Sequence, residues 1–133
     1  MKPLITLIIL LSIATLKAQP LMLSVRKATV IAEMRTCRDY KRTRTEADYL
    51  EYQKGETTIA YVFVKNKHKW LCSSASITMP ENKEASFIVS KTGCNCWIPL
   101  SYNTWLYETY HFDAPVLVKR TATNGCATFT YSF

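Results

Sequence analysis

Glycine is scarce in this chain: Gly55, Gly93 and Gly125 are the only three among 133 residues. That excludes a glycine-rich phosphate loop and leaves no Gly/Ser linker to divide domains. The two histidines, His68 and His111, stand far apart with no companion ligand nearby. No C-x-x-C pair occurs, so the usual spacings of zinc and dithiol redox sites are missing. Also missing are an Asn-x-Ser/Thr sequon, a Ser-His-Asp arrangement, a paired-carboxylate signature, an internal repeat and a low-complexity tail. No apolar run approaches the roughly 18 residues that read as a membrane span. No cofactor, metal or membrane span is expected.

What is present begins with MKPLITLIILLSIATLKAQP. A basic Lys2, an apolar run from Leu4 to Ile13 and small residues up to Ala18 form a signal-peptide pattern. Residues 1–18 are read as a leader and 19–133 as a single secreted domain, expected to be a monomer. The five cysteines (Cys37, Cys72, Cys94, Cys96 and Cys126) all lie in that domain. On a secretory route they are expected to pair, with one left over from the odd count. Cys94 and Cys96 would close a strained ring with each other. In an extended segment they point the same way and suit two different partners. A Cys37–Cys126 bridge would close a loop of about 90 residues, a constraint of about 4–5 kcal/mol in the chain-entropy view. The pattern leaves the partners of Cys72, Cys94 and Cys96 open.

The chain has 17 Lys and Arg against 10 Asp and Glu, and 15 against 10 without Lys2 and Lys17. A basic secreted domain favours anionic partners. The cations cluster: Arg35, Arg38, Lys41, Arg42 and Arg44 surround Cys37, with Tyr40 among them. Lys65, Lys67 and Lys69 alternate, and an extended chain would set them on one face. These nine residues are the candidates for contact with RNA or a protein partner, through phosphate or carboxylate pairing and aromatic stacking. An acid–base site is weaker. Its best candidates are Tyr107, Glu108, Tyr110 and His111 with Arg120, yet Glu108 and His111 would face opposite ways on a strand. No catalytic residue is assigned.

The expected elements are a strand over about Ala28 to Met34 and one short helix over about Glu46 to Lys54. The Thr43/Glu46 capping box would start that helix and Gly55 would end it. After Gly55 the chain reads as strands: TTIAYVFVKN, KWLCSSASITM, ASFIVSK after a turn at 80–83, NTWLYETYHF, PVLVKRTA and CATFTYSF. Asn124-Gly125 between the last two is a hairpin signal. The sum is an α+β domain in which an antiparallel sheet of about five to seven strands packs on one short helix. Three tryptophans, eight tyrosines and five phenylalanines are available to fill it.

With its leader, early cysteine (Cys37), single helix, run of strands and late cysteine (Cys126), the chain resembles small secreted effectors of plant-pathogenic fungi. In particular it resembles the ribonuclease-like effectors of the cereal powdery mildews. The resemblance implies a disulfide between the start and end of the domain and a ribonuclease-like sheet on one helix without catalytic residues. It further implies delivery into plant cells and a role in virulence, through binding a host protein or RNA or through detection by a plant immune receptor. Two other readings stand beside it: an active secreted ribonuclease, and an extracellular toxin or ligand-binding protein.

Overall fold

The computed structural model describes residues 22–93, 97–107 and 115–133. The expected leader therefore lies outside the described residues, as do Cys94, Cys96, Glu108, Tyr110 and His111.

The elements are α1 (Lys27–Thr36), β1 (Lys41–Glu46), β2 (Tyr49–Lys54), β3 (Thr57–Asn66), β4 (Lys69–Pro80), α2 (Glu81–Thr92), β5 (Trp97–Ser101), β6 (Thr104–Tyr107), β7 (Val116–Thr123) and β8 (Cys126–Ser132). The class is α+β as expected, but the sheet has eight strands and the described residues form two helices. Every pairing is antiparallel, in the order β1-β2-β3-β4-β8-β7-β6-β5. A helix followed by a four-strand meander thus occurs twice, and the two halves meet where β4 pairs with β8. The sequence shows no repeat, so the duplication is one of element order alone.

Three expected elements change type, each for a physical reason. The strand over Ala28 to Met34 is helix α1. Its β-branched Thr29, Val30 and Ile31 suggest a strand, but the buried residues are Val30 and Met34, four apart on one helical face. ASFIVSK belongs to helix α2, where Glu84, Phe87, Ile88 and Lys91 share one half-buried stripe. Acidic Glu81 and Glu84 in its first turn and Lys91 in its last suit the helix dipole. The helix over Glu46 to Lys54 is instead a hairpin. Leu50 and Tyr52 are buried while Glu51 and Gln53 are not, which is a period of two. Gly55, at φ 57°, makes the β2–β3 turn and caps no helix.

Five hairpins turn on two residues each. The expected Asn124-Gly125 turn is among them, with φ of 53° and 78° at its two positions, as a type I′ turn requires. Such short connections fix the register, and the register sorts the side chains by face. Leu50, Tyr61, Ala75, Tyr131, Val118 and Trp105 stand opposite one another across β2, β3, β4, β8, β7 and β6, all buried. Tyr52, Ile59, Ile77 and Phe129 form the next row of the same face. Both helices lie on this face: Met34 of α1 meets Tyr61, and Phe87 of α2 meets Phe129 and Trp97. No helix of the described residues lies on the opposite face. Its middle is a row of four threonines, Thr58, Thr78, Thr128 and Thr121, beside a row with Ser76 and Thr130.

Cys37, Cys72 and Cys126 are free thiols, so the expected bridge between the ends of the domain is not made. Register explains why. Cys126 shares the helix-free face with Thr128, two residues on, whereas Cys37 ends α1 on the covered face. The sheet itself therefore stands between the two thiols, with β4 and β3 lying between β8 and the hairpin that follows α1. Cys72 is buried on the covered face, and its N–H donates to the Val25 carbonyl.

Candidate interaction site

Of the acid–base candidates only Tyr107 and Arg120 are among the described residues, and these two stand apart. Tyr107 is half-buried and makes an edge contact with Tyr131, ring centroids 6.4 Å apart. Arg120 sits four residues along β7 from Val116, the partner of Tyr107, which is about 13 Å of strand. Its guanidinium is occupied: Nη2 donates to Glu84 Oε1 at 2.8 Å and Nε to Oε2, tying α2 to β7. His68 is an exposed residue of the β3–β4 turn. No group of three His, Cys, Asp or Glu side chains suited to a metal occurs among the described residues.

The basic residues divide into two groups. Lys65, Lys67 and Lys69 do not share the one face that an extended chain would give them. Lys67 is the first residue of a two-residue turn, at φ 60°. Lys65 pairs across the hairpin with Trp70, and Lys69, the next residue back from Trp70, points the other way. Lys65 Nζ lies 6.0 Å from the centre of the Trp70 ring.

The second group collects where α1 runs into β1, at the end of the sheet holding the β2–β3 turn. Arg35 closes the last turn of α1, Arg38 follows it, and Lys41 and Arg42 open β1. All four are exposed. The four ion pairs among the described residues are Arg44–Glu46, Lys54–Asp39, Lys83–Glu56 and Arg120–Glu84. None of them uses Arg35, Arg38, Lys41 or Arg42. Arg42 stands opposite Tyr52 on the covered face. Burial raises the Tyr52 phenol, and the positive charges of Arg42 and Arg35 offset part of that rise.

The aromatics in this group are engaged. Tyr40 is half-buried, its phenol raised mainly by burial, and Lys54 Nζ lies 5.6 Å from its ring centre. Arg44 stacks 4.9 Å from the Tyr49 ring centre and also pairs with Glu46. The Tyr49 hydroxyl donates to Glu51 at 2.8 Å, and burial, then that bond, push its phenol up to about 12. The surface is therefore a set of cations outside the ion pairs of the described residues, beside tyrosines whose rings each already carry a cation.

Two features went unread in the sequence. Lys54, taken as a helix end, orders Tyr40 through its contact with the ring and through Asp39. The hydroxyl rows of the helix-free face come from alternating Ser and Thr in SSASIT and CATFTYS, a signal that strand periodicity makes visible only once the covered face is known. Comparison with protein-family models, with curated proteins and with solved structures finds no match.

Proposed function

We propose that this chain is a secreted virulence effector that acts by binding, not by catalysis, and that its partner is an acidic protein of the host. The observation that carries this reading is the group of four cations, Arg35, Arg38, Lys41 and Arg42, all exposed and none of them used by the ion pairs among the described residues, the one carboxylate within the group, Asp39, pairing with Lys54 instead. Leaving like charges together costs stability, and an anionic partner recovers it. Protein is favoured over RNA because base stacking needs open aromatic faces, and Tyr40, Tyr49 and Trp70 already carry cations on theirs.

The test is binding of labelled poly-glutamate and labelled poly-uridine of equal length, measured by anisotropy across a salt series. The expected result is poly-glutamate binding that weakens with salt and is lost in the Arg35→Glu/Arg38→Glu/Arg42→Glu variant. Tighter binding of poly-uridine, or no binding of either, sinks the proposal. For the effector role, the chain without its leader is expressed inside plant cells. A response there that external application does not produce is expected. A response to external protein alone would place the action outside cells.

A further inference from the structure

The two edges of the sheet are protected in different ways. β5 contains Pro99, which has no N–H to offer a neighbour, and its register slips between Pro99 and Ser101. β1 contains no proline, pairs among the described residues with β2 alone, and exposes all six of its residues. Its one irregularity lies between Arg42 and Arg44. What guards β1 is charge: Lys41, Arg42 and Arg44 against a single Glu46, which Arg44 already holds. A charged edge turns away strands of like sign, including β1 of a second copy, and it attracts an acidic one.

Resting on the binding role proposed above, we infer that β1 is an acceptor edge for an acidic extended peptide, which joins the sheet as a ninth strand. The backbone groups along the open edge supply hydrogen bonds regardless of sequence, and the side chains supply the choice of partner. Those side chains are distributed for it. Arg42 shares the helix-covered face with Tyr52, while Lys41 and Arg44 share the helix-free face with Gln53 and Glu51. An added strand meets cations on both of its faces, so adjacent acidic residues, not only alternate ones, are matched.

The experiment uses the folded chain and a labelled extended peptide of Glu and Val, with the Lys/Val peptide as control. Affinity is measured by anisotropy, and amide exchange is followed residue by residue. The Glu/Val peptide is expected to bind and to slow exchange of amides within Lys41–Glu46 by about tenfold or more. Arg42→Glu/Arg44→Glu is expected to weaken that binding at least about tenfold and to gain binding of the Lys/Val peptide. Binding without protection of β1 amides overturns strand addition and leaves the acidic-partner reading intact. Failure of every acidic polymer to bind overturns both. Poly-uridine that displaces the peptide and binds more tightly assigns the surface to nucleic acid and overturns both as well.

Discussion

Replacing Phe129 with alanine tests the packing and the assignment of the two sheet faces together. Phe129 is fully buried in β8, and its ring centre lies 4.9 Å from Phe87, 5.6 Å from Trp97 and 6.0 Å from Trp105. It joins α2 to β5 and β6. Trp97 and Trp105 also pack against each other, at 5.3 Å, so they cannot both close over the space left by the lost ring. Truncating a buried Phe costs about 3–5 kcal/mol, and poor collapse places this site toward the upper end. With an m value of about 2 kcal/mol/M, the urea midpoint falls by about 1.5–2.5 M. The neighbouring Thr128 is the control. It faces the helix-free side, where its hydroxyl bonds to Thr78 at 2.8 Å, and Thr128→Ala loses about 0.5–1.5 kcal/mol. Urea unfolding followed by tryptophan fluorescence compares the two variants. Equal losses, or a loss below about 1 kcal/mol for Phe129→Ala, would falsify the assignment of the covered face.

Thiol labelling gives a second test: Cys37 and Cys126 react in the native protein, while Cys72 reacts only on unfolding. A Cys37–Cys126 disulfide in non-reducing peptide mapping would refute this. Burial pushes the Cys72 thiol from 9.0 up to about 12, so the unfolded chain releases that proton first. The stability this protects is complete below about pH 9 and declines as pH rises toward 12. Cys72→Ala flattens this part of the stability–pH curve, and an unchanged curve counts against the argument. Tyr61 and Tyr131 are also raised by burial, so ultraviolet titration should leave them protonated until the fold is lost. Glu84→Ala breaks the Arg120 pair and costs about 1 kcal/mol, a loss that 1 M salt partly masks in comparison with the parent. No change in urea midpoint would show that the pair does not hold α2 to the sheet.

The strands from β3 onward were legible where alternation was strong, as in TTIAYVFVKN and CATFTYSF, and Asn124-Gly125 marked its turn. The helices were not. α1 buries only Val30 and Met34, and α2 buries no residue fully, so both stripes are too thin to outweigh their β-branched residues. The hairpin at 46–54 was hidden by a Thr-x-x-Glu spacing that caps nothing in this fold, with Thr43 bonded across the strands to Glu51. Of the candidate site, the cluster around Arg35 to Arg42 was readable because neighbours in sequence stay neighbours in space. The separation of Lys65, Lys67 and Lys69 depends on where a two-residue turn falls, and composition does not carry that. The choice between free and bridged cysteines depended on strand order, which spacing alone does not reveal.

The order of the sheet also has a bearing on time. Each strand pairs with its neighbour in sequence except at one seam, between β4 and β8, where Thr78 and Thr128 lie 50 residues apart. Hairpins closed by two-residue turns form in about 1–10 μs. The seam must wait for two already ordered stretches to find each other, and distant pairing of that kind sets folding rates. Phe129 and Tyr131 stand on that seam, so replacing either is expected to slow refolding as well as lower stability, as stopped-flow fluorescence would read. The chain assembles as two zippers and a clasp, and the clasp keeps the time.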